Sequence, residues 1–279
     1  MSASISISAS KLIRLLGTPK SPAIVDVRID EDFAAIPELI PTAVRRSHRD
    51  VAQWAPQFRH QHVVVVCHKG LKLSQGVAAW LRQLGGSAET LEGGALSWRE
   101  RDRLMVKASA IPARNAQGES VWVTRARPKV DRIACPWLIR RFVDPKAAFL
   151  FVAPAEVQGV ATHFDATPFD VEGVALSHVD GQCTFDAMLS HFGLDNDVAL
   201  QRLATIVRGA DTDRHDLAPQ AAGLLAASLG LSRMYADDLE QLEAGMGLYD
   251  AFYRWCRDAV DETHDWESHQ PKAKSQGGR

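Results

Sequence analysis

Val63-Val64-Val65-Val66-Cys67-His68-Lys69-Gly70-Leu71-Lys72 decides how the first half of this 279-residue chain is built. Four consecutive β-branched residues read as a strand buried on both faces, the habit of a parallel sheet. Cys67 then stands at the carboxyl end of that strand, where open α/β sheets bind ligands, and a helical pattern starts directly after the loop. The backbone N–H groups of the loop, the positive end of the following helix, Lys69, Lys72 and a protonated His68 all favour an anion at this place. A thiol so placed is expected to be a nucleophile; the plain alternative is an inert copy of the same fold.

Outward from this stretch, strands and helices alternate. Ser10 is positioned to cap a helix carrying Leu12, Ile13, Leu15 and Leu16 and stopped by Gly17. Strands are expected at 22–27, 43–47 and 87–91, and helices near 30–36, 50–58, 73–84 and around Trp98. The alternation predicts an α/β fold, a parallel sheet flanked by helices, over residues 1–111. Residues 112–120 have no apolar period and read as a linker. Residues 121–260 read as a second, mostly helical α+β domain, with strands at 121–124 and 148–152 and helices at 131–142, 184–192, 197–209, 219–229 and 234–259. Residues 261–279 are polar and read as a disordered tail.

A net charge of −2 gives no electrostatic sign of a nucleic-acid partner. The four cysteines, Cys67, Cys135, Cys183 and Cys256, lie far apart with no C-x-x-C pair, which argues against a disulfide framework and fits a reducing cytoplasm. No run approaches the roughly 18 apolar residues of a membrane span.

Three stretches of the second half concentrate chemistry. Arg125, Arg127 and Lys129 alternate along a segment read as extended, with Arg132 following, so they are candidates to face one oxyanion; a solvated edge is the plain alternative. Pro136 either removes a helical donor or begins the helix, and in the second case Cys135 sits at a helix start. His178, Cys183 and Asp186 offer imidazole, thiolate and carboxylate within nine residues and form a candidate metal site, against a reading in which Thr184 or Asp186 caps a helix beside a buried Cys183. Asp211 and Asp213, among Arg208, Arg214 and His215, read either as part of a site or as an ion-pair network fixing a turn. No cofactor is firmly implied beyond that possible metal.

Ala23-Ile24-Val25-Asp26-Val27-Arg28, Ile40-Pro41-Thr42-Ala43, the Cys67 loop and Leu91-Glu92-Gly93-Gly94 with Trp98 together resemble a single rhodanese (sulfurtransferase) domain, over roughly residues 5–105. The resemblance implies that Cys67 takes sulfur from thiosulfate or another sulfane-sulfur donor as a persulfide and passes it to a thiol or cyanide acceptor. It implies His68, Lys69, Gly70, Leu71 and Lys72 as the anion-binding loop, with Asp26 and Arg28 in support. Lys72 stands where that family usually has Arg, and Leu73 where it has a small residue; Lys supplies charge without a planar fork.

The stretch from Val123-Thr124-Arg125 to Pro145, Cys183-Thr184-Phe185-Asp186, Arg208-Gly209-Ala210-Asp211-Thr212-Asp213 and Leu217-Ala218-Pro219-Gln220-Ala221-Ala222-Gly223 resemble the C-terminal domain of the chromate-resistance ChrB family, over roughly residues 120–258. That family's usual N-terminal portion, implicated in DNA binding, is replaced here. Two functions follow as expectations: a cytoplasmic sulfurtransferase tied to chromate resistance or oxyanion detoxification, and a regulatory protein that senses or binds chromate or a similar oxyanion without sulfur turnover.

Overall fold

The computed structural model describes residues 5–101 and 103–262. Its first half runs β1 (Ser6–Ile7), α1 (Ala9–Leu15), β2 (Ala23–Asp26), α2 (Asp30–Ala35), β3 (Glu38–Leu39), β4 (Val44–Arg45), α3 (Val51–Trp54), β5 (His62–Val66), α4 (Lys72–Gln83), β6 (Ser87–Leu91), α5 (Gly94–Glu100) and β7 (Val106–Lys107). Five of the strands form a parallel sheet in the order β1-β6-β5-β2-β4. β5 is its middle strand, and the four valines divide between two cores. Val64 and Val66 pack with Ile7, Leu12 and Trp98 on one face, Val63 and Val65 with Trp54, Val77 and Leu81 on the other. The unbroken apolar run is therefore the signature of a strand covered on both sides. The short strands β3 and β7 pair antiparallel outside this sheet.

Helix α1 corrects one expectation. Its cap is Ser8, whose Oγ accepts the Lys11 N–H at 3.3 Å, and Ser10 lies within the first turn. The reason is β1: Ile7 pairs with Leu91 at the sheet edge, so the chain turns into the helix at once.

The second half runs β8 (Val121–Arg125), α6 (Asp131–Leu138) with a π-helical turn at Ile139–Val143, β9 (Ala148–Val152), α7 (Val157–Phe164), β10 (Thr167–Pro168), α8 (Thr184–Phe192), α9 (Val198–Asp211), α10 (Ala221–Met234) and α11 (Asp238–Asp258). Three strands form a parallel sheet in the order β10-β8-β9, and the rest is helical. Trp137 anchors the core, its ring 5.4–6.4 Å from those of Phe142, Phe185, Tyr249 and Tyr253. Its indole N–H donates to Asp250 Oδ1 at 2.8 Å, and Arg141 holds both oxygens of the same carboxylate. α7 and β10 escaped the sequence reading because one is interrupted by Gly159 and the other is two residues long. The tail expected at 261–279 lies outside the described residues from 263 onward.

The halves touch directly. Thr42 N–H donates to Phe142 O at 2.8 Å, and Arg257 Nη1 to Leu16 O at 3.2 Å. Gly17, at φ +68°, faces the rings of Phe142 and Tyr253 so closely that a Cβ would lie 2.5 Å from Phe142 Cζ. The residue that stops α1 is thus also the one that lets the second core approach.

Within the first sheet, Asp26 and Arg28 form a buried ion pair with side chains at most 3% exposed. Arg28 Nε donates to Asp26 Oδ2 at 2.8 Å, and the remaining guanidinium donors reach Ile36 O and Glu38 O at 2.9 and 2.7 Å. Replacing Arg28 with Ala leaves the Asp26 carboxylate buried and unpaired. A loss of about 3–5 kcal/mol is expected for the first unfolding transition in urea; a loss below about 1 kcal/mol contradicts this.

Candidate functional site

Cys67 is the first residue past β5, buried with only 4% exposure. Its Sγ donates to Ser74 Oγ at 3.2 Å, and Ser74 Oγ donates in turn to Leu71 O at 3.1 Å. Ser74 was not among the expected site residues. Its signal was present as a small hydroxyl in the first turn of α4, the turn that faces back toward the end of β5. The loop is seated on the turn between β6 and α5: Ala95 N–H donates to Cys67 O and Leu96 N–H to His68 O, both at 3.0 Å. Gly94, at φ +62°, makes this possible, since a Cβ there would stand 2.3 Å from Cys67 O and 2.5 Å from Gly70 N. Gly70, at φ +71°, meets the same turn from the other side, where a Cβ would lie 2.5 Å from Leu91 O.

Around this seat Lys69, Leu71 and Lys72 are exposed, and His68 Nδ1 is buried without a hydrogen-bond partner. Asp26 and Arg28 occupy the neighbouring strand end, where Val27 N–H donates to Val66 O at 2.7 Å. Their charges are spent on each other and on backbone carbonyls, so they brace the sheet and leave Lys69 and Lys72 as the cations of the loop.

The second half rearranges the expected groups. The alternation of Arg125, Arg127 and Lys129 ends with β8: Arg127 has φ +58°, and its guanidinium turns to the carbonyls of Tyr235, Ala236 and Ser232. Arg125 Nη2 and Arg132 Nε instead share Asp170 Oδ2, at 3.0 and 3.2 Å. Lys129 is exposed. The four cations therefore do not converge on one anion.

His178 faces neither Cys183 nor Asp186 in a common cluster. Its Nε2 lies 3.1 Å from Asp211 Oδ2, 3.3 Å from Asp170 Oδ1 and 3.5 Å from Asp131 Oδ2. Asp186 closes a capping box at the start of α8, accepting the Cys183 N–H at 3.0 Å, and lies 3.5 Å from Arg208. The capping alternative is thus the arrangement that forms, because α8 begins at Thr184 and needs an acceptor at its third residue. Asp213 is exposed in the turn after α9, 3.7 Å from His215. Burial first, then the charges of Asp211 and Asp170, push the Asp131 carboxyl well above the usual carboxylate range; burial and Asp170 also raise Asp211.

Comparison with known proteins gives these two constellations a family. Residues 8–101 match the model of the rhodanese-like domain, and residues 122–256 match that of the ChrB C-terminal domain. The chain joins a rhodanese-like domain to a ChrB C-terminal domain. Protein ChrB from Cupriavidus metallidurans is 34% identical over 149 residues, which is 52% of this chain and 44% of that protein's own length. Among solved structures, a rhodanese-related protein from Thermoplasma volcanium is 25% identical and covers 36% of this chain and 96% of its own, with a TM-score of 0.32. A rhodanese-like domain protein from Staphylococcus aureus is 31% identical and covers 33% of this chain and 89% of its own, with a TM-score of 0.31.

Between the rhodanese-like domain and the ChrB C-terminal domain lies a cleft of about 700 Å³, lined among others by Arg46, Arg114, Arg140, Arg141 and Lys146. Arg140 and Arg141 pair with Glu243 and Asp250, while Arg46 donates to the Arg45 carbonyl. Burial, and then the charge of Arg114, lower the Arg46 pKa. No helix of the described residues is long and apolar enough to cross a membrane.

The three thiols of the ChrB C-terminal domain are fully buried. Cys135 sits in the second turn of α6 and not at a helix start, because the helix begins at Asp131 and carries Pro136 inside it. Burial, reinforced by Asp131, pushes the Cys135 and Cys183 thiols up, and burial raises Cys256 to about 11. With iodoacetamide at pH 8, native protein is expected to label on Cys67 ahead of the other three cysteines. Labelling of Cys135 or Cys183 at a matching rate, read by peptide mass mapping, contradicts the burial described. Gly94→Ala is expected to displace the Cys67 loop and change the Cys67 labelling rate at least about tenfold, or else to destabilise the domain by more than about 1 kcal/mol, the range of strained left-handed backbone. Unchanged labelling and stability together contradict the tight seat.

Proposed function

We propose that this protein is a sulfurtransferase in which Cys67 carries the transferred sulfur, serving chromate resistance or the detoxification of related oxyanions. The observation that carries the reading is the seat of Cys67: a thiol at the carboxyl end of the middle strand, beside the Ser74 hydroxyl and under a rigid loop that presents Lys69 and Lys72. In the first step the Cys67 thiolate attacks the sulfane sulfur of a donor such as thiosulfate. The Sγ–S bond forms, the donor's S–S bond breaks, and sulfite leaves with the electron pair. In the second step an acceptor thiolate or cyanide attacks the outer sulfur, forming a new persulfide or thiocyanate and returning the Cys67 thiolate. The loop lysines and the loop's backbone N–H groups offset the negative charge of the entering donor and of the persulfide. The reducing cytoplasm is the proposed compartment, consistent with four free cysteines.

A second reading is favoured by the cleft between the domains. Arg46 and Arg114 both line it; Arg114 lies 3.6 Å from Asp144, while Arg46 donates to the Arg45 carbonyl and is the cation offered to an oxyanion, and in this reading the protein binds chromate or sulfate without sulfur turnover.

The full chain, given thiosulfate and cyanide, is expected to produce thiocyanate, and the Cys67→Ser variant none. Lys72→Arg is expected to raise kcat/KM for thiosulfate by about tenfold, the size of one added charge-assisted hydrogen bond. Absence of turnover with thiosulfate and with a thiol persulfide, or equal turnover by Cys67→Ser, overturns sulfur transfer. Sulfate or chromate binding that Arg46→Ala abolishes then decides for the second reading.

A further inference from the structure

We propose that the ChrB C-terminal domain binds one divalent first-row transition-metal ion, of the Mn²⁺ or Fe²⁺ class, between Asp131, Asp170, His178 and Asp211. These residues come from four separate places: the first turn of α6, the segment after β10, the loop before α8 and the last residue of α9. Candidate ligand atoms of Asp131, Asp170 and His178 all lie within 4.8 Å of one another, and Asp211 Oδ2 is 3.1 Å from the imidazole Nε2.

The distances from the imidazole to the three carboxylates are those of neighbouring ligands on one ion. Metal–ligand bonds of about 2.1 Å place adjacent ligand atoms about 3.0 Å apart in an octahedron and about 3.4 Å apart in a tetrahedron. The three carboxylate oxygens stand 3.1, 3.3 and 3.5 Å from His178 Nε2. Hydrogen bonding alone does not account for this arrangement. One imidazole N–H cannot donate to three carboxylates at once, whereas one cation accepts all four groups.

Charge and satisfaction point the same way. Asp170 is neutralised through Oδ2 by Arg125 and Arg132, which leaves its Oδ1 toward His178. Asp131, with a side chain only 1% exposed, accepts the Thr184 N–H on Oδ2 at 2.5 Å, and its Oδ1 has no hydrogen-bond partner. A fully buried carboxylate with one oxygen unpartnered is costly, and a cation held on the Oδ2 side, toward His178, offsets the charge of the whole group. The surrounding contacts fix the donors in place. Thr184 Oγ1 donates to Asp170 Oδ1 at 2.8 Å, and Asp131 N–H reaches Asp211 Oδ1 at 3.4 Å. Val130, directly before α6, is held at φ +35°, a conformation that β-branched residues rarely adopt.

Three carboxylate oxygens with a single imidazole select hard to borderline ions over soft ones. The side of the cluster at His178 and Arg125 opens to a cavity of about 300 Å³, which gives the ion a route in and leaves room for an exchangeable ligand.

The test uses the full chain, stripped with EDTA and titrated with Mn²⁺ while free Mn²⁺ is followed by electron paramagnetic resonance. One Mn²⁺ per chain is expected, with a rise in Tm that grows with its concentration. His178→Gln and Asp211→Asn are chosen because their side chains are less buried than Asp131, so the fold is retained; each is expected to weaken binding at least tenfold with unchanged far-ultraviolet circular dichroism. His163→Gln, at an exposed site on α7, is expected to bind as the wild type does. Absence of stoichiometric binding with Mn²⁺, Fe²⁺ and Zn²⁺ overturns the proposal, and so does equal binding by both cluster variants. Thiocyanate formation at Cys67 is a separate readout, so neither result depends on the other.

Discussion

The Cys67 loop depends on a contact between two pieces of backbone. Cys67 and His68 give their carbonyls to the first N–H groups of α5, and Gly94 and Gly70 remove the two side chains that would hold the pieces apart. This fixes where β5 ends, the direction in which the thiol leaves the sheet and the position of the first turn of α4, which brings the Ser74 hydroxyl to Sγ. The stiffness of the seat comes from geometry more than from energy in any single bond. Two left-handed glycines stack on each other's chain, and no other residue type fits either place.

The two domains handle their reactive groups in opposite ways. The rhodanese-like domain places one thiol at a sheet end, followed by a loop that carries two exposed lysines. The ChrB C-terminal domain buries all three of its thiols and gathers carboxylates about one imidazole. The Cys67 thiol and the carboxylate cluster thus sit in separate domains, and between the domains lies an arginine-lined cleft with Gly17 packed on aromatic rings beside it.

The first domain was largely legible in its sequence because each decisive feature there is local. Four valines mark a strand covered on both faces and Gly85-Gly86 ends a helix, whereas the seating of the Cys67 loop on Gly94 is seen only in the fold. The second domain's cluster was legible only in its ingredients. His178 and Asp211 were visible as candidates, but Asp131 reads as an ordinary first-turn acid and Asp170 follows a two-residue strand without periodicity. Which acids meet the imidazole depends on how α6, α9 and β10 pack, a tertiary fact that spacing along the chain does not carry. The arginine pattern failed for a related reason: alternation predicts a shared face only while the backbone stays extended, and Arg127 is left-handed.

Whether Cys67 carries sulfur is read most directly by intact mass spectrometry of the full chain after exposure to thiosulfate, with peptide mapping of the modified cysteine. One added sulfur atom on the Cys67 peptide, removed by cyanide and absent from the Cys67→Ser chain, is the predicted result. A chain that gains no sulfur, or a Cys67→Ser chain that gains as much as the wild type, contradicts it.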